Sequence, residues 1–286
     1  MVSYAAVIDA TKCVDCRNCV IACKDTYALN DYPPYSAGMP FQGQKWIRVE
    51  NLERGTYPKV KFTSYPVLCQ QCDNPPCIEA ARDGAVYKRE DGIVLIDPHK
   101  SKGQRQIVDS CPYGLIFWNE DAQIPQKCTF CAHRLDQGQM PRCVIACPTD
   151  AIKIGDYTQI MRNAAKYGPT QYHPEYETQP RALYIGLPKI FITGAVVDSS
   201  GECLKGARVI ATDTTTKAIV GDTTTDAFGD FWFDGLDTNK TYSITISAAS
   251  KTKTTSVTLS TNTNLGDIQL QNNTMKPDFI GGFREQ

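Results

Sequence analysis

The sequence predicts an α+β chain in two unlike parts: a cysteine-rich region of short strands and loops, then a small antiparallel β-sandwich. Three observations predict it. Twelve of the thirteen cysteines stand before residue 148. Short strand-like runs, YAAVID (4–9), GIVLID (92–97) and LIFWN (115–119), alternate with the cysteine loops. From about residue 190 the composition turns to Thr, Val, Ile, Ser and Asp in alternating runs, the period of half-buried strands.

The expected organisation follows in order. Residues 1–155 form the cysteine-bearing domain, with a cysteine-free insertion over 24–68 that is rich in Tyr, Pro and Gly. Residues 156–189 read as a connector, in which YTQIMRNAAKYG (157–168) predicts a short helix stopped by Gly168. Residues 190–271 carry seven short strand-like runs separated by turn signals such as SSGE and FGD, which predicts the sandwich. Residues 272–286 are a C-terminal tail.

Composition excludes several classes. Thirty basic against thirty-one acidic residues leave a net charge of −1, so no electrostatic footprint for nucleic acid exists. No apolar run is long enough to cross a bilayer as a helix, so no direct membrane insertion is expected. The start, MVSYAAVIDATKC, lacks the basic and apolar regions of a secretory signal. A cytoplasmic location is the expectation, although a partner bearing a signal can export a folded subunit. An odd number of cysteines without such a signal argues for metal ligands rather than disulfides.

The spacing identifies the metal chemistry. Cys13-x2-Cys16-x2-Cys19-x3-Cys23 is the bacterial ferredoxin run, with Lys24 where proline usually follows. Cys128-x2-Cys131-x11-Cys143-x3-Cys147-Pro148 repeats the logic with a longer loop. In a two-cluster ferredoxin the fourth cysteine of each run serves the other cluster. That rule predicts a double-ferredoxin-like domain with one [4Fe–4S] cluster on Cys13, Cys16, Cys19 and Cys147, and a second on Cys128, Cys131, Cys143 and Cys23. The two runs must then meet in space. The remaining triplet Cys69-x2-Cys72-x4-Cys77 needs a distant Cys-Pro, and Cys111-Pro112 is available, which predicts a third cluster on Cys69, Cys72, Cys77 and Cys111. A fourth cluster would need cysteines at Ala81 and within His99–Gln106, and there are none. Zinc also uses C-x2-C pairs, but it does not call for two runs of four at ferredoxin spacing.

Four cations, Lys12, Arg17, Lys127 and Arg142, stand next to ligand cysteines. They are expected either to offset cluster charge or to be ordinary solvated side chains. Cys203, alone in the strand-rich region, is expected to be a small buried hydrophobe. No catalytic residue is expected on this chain.

The motifs CVDCRNCVIAC (13–23), CQQCDNPPC (69–77), DGIVLIDP (91–98), CPYGLIFWN (111–119), CTFCAHRL (128–135) and MPRCVIACPTDAI (140–152) resemble the iron–sulfur subunits of the dimethyl-sulfoxide-reductase superfamily of molybdenum enzymes. The resemblance covers residues 1 to about 188 and departs from it at the missing fourth site. That departure, together with the added β-domain, resembles the small subunits of transhydroxylases of the pyrogallol–phloroglucinol type. Resorcinol hydroxylase and catechol dehydroxylase subunits, and those of respiratory reductases, stay open beside them. The resemblance implies a non-catalytic, electron-transferring subunit in a heterodimer. It also implies a large catalytic partner holding molybdenum (or tungsten) and two molybdopterin guanine dinucleotides and acting on trihydroxybenzenes. The segments DAFGDFWFDGL (226–236) and YSITIS (242–247) resemble prealbumin-like or Cna-B-like sandwiches, which implies either a docking module or a covering domain.

Overall fold

The computed structural model describes residues 2–270; the predicted tail 272–286 lies outside them. The chain divides into two compact units. One comprises Met1–Leu52 and Phe62–Pro188, the other Glu53–Lys61 and the chain from Lys189 onward. No helix among the described residues is long and apolar enough to cross a membrane.

The first unit is organised by one strand. Tyr4–Asp9 is almost wholly buried, as its run of apolar residues demands. It pairs antiparallel with Ile152–Asp156, Tyr4 opposite Asp156 and Ile8 opposite Ile152. On its other edge it pairs in parallel with Ala182–Ile185, which in turn pairs with Thr170–Gln171. The strand that precedes the first cysteine run thus lies beside the strand that follows the last.

Outside that sheet lie three two-stranded ribbons: Ile47–Thr56 with Lys59–Leu68, whose tip belongs to the second unit, Val86–Lys88 with Val94–Ile96, and Phe117–Asn119 with Ile124–Gln126. The second ribbon turns at Gly92, whose φ is +87°. A Cβ there would meet the guanidinium of Arg181, with Cζ at 2.6 Å. That guanidinium is held by Asp73 at 2.5 Å and Ser3 Oγ at 2.6 Å. Gly92→Ala is therefore expected to cost about 1–3 kcal/mol from the left-handed backbone and the displaced arginine. Denaturant unfolding of the intact protein measures it.

Two expectations are corrected here. The stretch 156–189 is no free connector. It holds the helix Tyr157–Ala164, capped by Asp156 Oδ1 accepting from Gln159 N at 3.0 Å, a turn that ends at Gly168, and two strands of the central sheet. It is built into the first unit because its backbone donors and acceptors are taken up there. About half of the insertion 24–68 is the ribbon Ile47–Thr56/Lys59–Leu68, whose tip, Glu53–Lys61, groups with the second unit.

The second unit has seven strands among the described residues, in sheets of three and four. The smaller orders Asp230–Asp234, Phe191–Val197 and Thr263–Gln269, and the larger Ile219–Thr224, Arg208–Asp213, Lys240–Ala248 and Lys251–Leu259. Their inward residues meet in one core, with Ile192, Val196, Phe231 and Phe233 from one sheet and Val209, Ala211, Ile244 and Ile246 from the other. This is a sandwich, but not wholly antiparallel: Phe191–Val197 pairs in parallel with Thr263–Gln269. Alternation marks which residues face the core and says nothing of strand direction. Within this unit Lys59 pairs with Asp230, Lys61 with Asp234 at 2.6 Å, and Lys61 Nζ lies 4.5 Å from the Trp232 ring centroid. The ribbon tip thereby covers the edge strand Asp230–Asp234, an edge otherwise open to pairing.

Cys203 is exposed rather than buried. It follows the turn Asp198–Gly201 and bridges back only to Val197, so its neighbour Leu204 packs on the core instead.

Candidate metal centres

The pairing of Tyr4–Asp9 with Ile152–Asp156 brings the first and last cysteine runs together. Helix Asn18–Tyr27, which carries Cys19 and Cys23, packs on the short helix Arg142–Ile145, which carries Cys143. Tyr27 closes the junction. Its hydroxyl lies 2.8 Å from Thr129 Oγ1 and 3.3 Å from His133 Nδ1, and its ring lies 4.6 Å from that of Trp46.

The fold brings thiols of separate runs within electrostatic reach of one another, in three overlapping neighbourhoods. Cys13 and Cys19 interact with Cys16 and Cys147. Cys23 interacts most strongly with Cys128, Cys131 and Cys143. Cys72 and Cys77 interact with Cys69 and Cys111. The neighbourhoods overlap: Cys19 reaches Cys23 and Cys143, and Cys69 acts on Cys128 ahead of Cys131. Among the described residues no three His, Cys, Asp or Glu side chains are placed to hold a single metal ion.

The loops owe their shape to left-handed residues. Asp15 and Arg17 have φ of 54° and 59° in the first run, Gln71 48° in the middle one, and Phe130 and Cys131 53° and 52° in the last. Such turns aim backbone N–H groups inward. Asp15 and Val20 supply backbone donors to Cys13 and Cys19, Tyr113 and Leu115 to Cys111, Phe130 to Cys128, and Arg142 to Cys131. Ala151 N donates to Cys147 Sγ at 3.2 Å.

The electrostatics are those of a site waiting for positive charge. Burial, then neighbouring sulfurs, pushes the Cys19, Cys72 and Cys128 thiols up to about 12 and Cys77 to about 11. Cys23 and Cys143 are driven well above the ordinary value by the same burial. Cys147 runs the other way. Burial raises it, but donors from the Thr149 backbone and hydroxyl, Ala151 and Ile152 together bring it below the ordinary thiol value. The residues fit [4Fe–4S] clusters: twelve thiols, all but Cys16 buried or partly buried, with N–H groups directed at sulfur, need iron to become thiolates.

The four flanking cations part company. Lys12 and Arg17 are exposed and paired with Asp9 and Asp15. Arg142 is partly buried. Lys127 is 3% exposed, and its ammonium donates to the carbonyls of Val94 and Cys128. Burial lowers its pKa, but Cys69, Cys77 and Cys128 outweigh that and hold it above the usual lysine value.

The two segments on which a fourth cluster would draw also meet. Gln104 Oε1 accepts from Arg82 N at 2.8 Å, and Gln104 Nε2 donates to Lys100 O at 2.8 Å. Ala81 packs beside Ile107, Ile116 and Val86. Side-chain amide and apolar groups stand where ligands would.

Several contributors leave no mark in the sequence. Thr178, 1% exposed, reaches Cys72 and the Tyr113 hydroxyl, the latter at 2.6 Å. Gln71 Nε2 donates to Cys128 O at 3.2 Å while its Oε1 accepts from Val94 N at 2.7 Å, tying the middle loop to the last. Gln71 lies inside a C-x2-C loop, which is a signal of sorts; Thr178 offers none.

Comparison with known proteins agrees with this construction. Residues 60–157 match the model of the 4Fe-4S dicluster domain, and residues 192–271 that of the carboxypeptidase regulatory-like domain, a prealbumin-like fold. The pyrogallol hydroxytransferase small subunit of Pelobacter acidigallici is 39% identical over 280 residues, covering 94% of this chain and 100% of that one. A tetrathionate reductase subunit of Salmonella typhimurium is 34% identical, covering 66% of this chain and 75% of its own. The arsenate respiratory reductase iron-sulfur subunit of a Shewanella species is 30% identical, covering 63% and 94%. The chain belongs to the 4Fe–4S electron-transfer subunits of the dimethyl-sulfoxide-reductase superfamily of molybdopterin oxidoreductases, in the company of the pyrogallol hydroxytransferase small subunit.

Proposed function

We propose that this chain holds three [4Fe–4S] clusters for a large molybdenum partner that carries two molybdopterin guanine dinucleotides and acts on trihydroxybenzenes. The ligand sets are Cys13, Cys16, Cys19 and Cys147; Cys128, Cys131, Cys143 and Cys23; and Cys69, Cys72, Cys77 and Cys111. The observation that carries this reading is the set of twelve thiols, all but Cys16 buried or partly buried, of which Cys69, Cys72, Cys77 and Cys111 line one cavity while the central sheet brings the first and last runs together. It is supported by identity to a pyrogallol hydroxytransferase small subunit along the full length of that protein. Bound clusters supply one-electron transfer. The chain's own part is to hold them apart at fixed spacing, to direct N–H groups at their sulfurs and to keep water from the buried ones. Exposed Cys16 lies in the same loop as exposed Val14, and Ile21 and Ile145 on the two adjoining helices are exposed as well, an apolar surface of the kind that partners cover.

Iron and acid-labile sulfide in the native complex test the cluster number. About twelve irons per chain are expected, from four per cluster. About sixteen would overturn the missing-fourth-site reading, and about eight the Cys69–Cys111 set. Co-purification with a pterin-bearing subunit active on pyrogallol tests the partner; a complex inert toward such phenols overturns the substrate class. Cell fractionation tests location, with the cytoplasmic fraction expected.

A second reading, an electron conduit of a respiratory reductase, is favoured by the identity to tetrathionate and arsenate reductase subunits. Reduction of an inorganic oxyanion by the purified complex, with no phenol turnover, would establish it.

A further inference from the structure

Of the four cations flanking cysteines, Lys127 alone is both fully enclosed and without a carboxylate. Its hydrogen bonds go to the carbonyls of Val94 and Cys128, and among the described residues it forms no ion pair. It lines the cavity walled by Cys69, Cys72, Cys77 and Cys111, and it precedes Cys128 of the neighbouring group directly. Its charge is felt by Cys77, Cys111 and Cys128. A buried ammonium costs several kcal/mol unless an anion offsets it, and the anions within reach are sulfurs from two different groups of four.

We propose that Lys127 is the buried counter-charge shared by the Cys69 and Cys128 cluster sites, and that it raises the reduction potential of both. The inference rests on the ligand sets proposed above. An electron added to either cluster makes it more negative, so a fixed cation beside it in a low-dielectric interior favours the reduced form. Because one ammonium adjoins both sites, it acts on the two potentials together, while the Cys13 site, whose thiols do not line its cavity, is left unmoved.

The test is a redox titration of the intact complex, followed by electron paramagnetic resonance, with Lys127→Met and Lys127→Arg. The neutral variant is expected to weaken reduction of two clusters by tenfold or more, about 59 mV downward for a one-electron couple, with the third unmoved. The arginine variant is expected to restore most of it. Potentials that stay put, a shift in one cluster only, or an equal shift in all three would each overturn the proposal. Should Lys127→Met lose iron, Lys127→Gln takes its place in the titration. Should both lose iron, restoration of full iron by Lys127→Arg supports the counter-charge, and failure to restore it overturns it. Iron content of the unaltered complex tests the ligand sets separately, so the failure of one is distinguishable from failure of the other.

Discussion

Replacing Cys111 by alanine is expected to strip one cluster's chemistry from the chain and leave two intact. Cys111 is the sole cysteine between Cys77 and Cys128, and its sulfur is partnered by Cys69 and by N–H groups of Leu115 and Tyr113. With the ligand sets proposed above, no neighbouring thiol is free to replace it, because the other sets claim them. Iron should fall from about twelve per chain to about eight, or to about eleven if a three-iron cluster survives. One paramagnetic signal of the reduced protein should vanish or change type, and the other two should keep their shape and potential. Unchanged iron with unchanged spectra would show that Cys111 is no ligand.

The second large effect lies in the sandwich. Phe231 is 1% exposed, faces Phe233 at 5.8 Å between ring centroids, and fills the space that Gly194 leaves open. Phe231→Ala should cost about 3–5 kcal/mol, the transfer term plus the cavity. Hydrogen exchange in the intact protein reads this directly. Protection of amides in Phe191–Val197 and Lys240–Ala248 should drop by roughly two to three and a half orders of magnitude, at about 1.4 kcal/mol per tenfold. Phe231→Leu, which keeps much of the apolar bulk, should cost less. A loss under about 1 kcal/mol for the alanine variant would mean that the cavity collapses.

The legible parts of this protein are those written in short spacings. Ligand runs such as Cys13-x2-Cys16 are local because three corners of one cube must be met by one loop. The seven strand runs of the second unit are visible through their alternation, and the prealbumin-like match agrees with them. What stays hidden is set by distant partners. The pairing of Tyr4–Asp9 with both Ile152–Asp156 and Ala182–Ile185 makes structure out of a stretch that reads as a linker. The ribbon Ile47–Thr56/Lys59–Leu68 is hard to read because, although KVKFT (59–63) alternates, its apolar members Val60 and Phe62 are the exposed ones, so the pattern points away from a core face. Thr178 and Tyr27 act on sulfurs through hydroxyls that nothing nearby in the chain requires. Lys127 is indistinguishable from Lys12 by position alone, and only burial separates them.

An exchange of fourth cysteines between the first and last runs, as proposed above, would also govern how the chain can be made. With the ligand sets proposed here, the thiols at 13, 16 and 19 wait for Cys147, and Cys23 waits for Cys128, Cys131 and Cys143. A ribosome delivers Cys111 before any of these. The middle site is therefore the one that can be filled on a growing chain, while the outer two must be loaded late and together. A fragment ending before the last run would then hold iron at one place only, however long it was given.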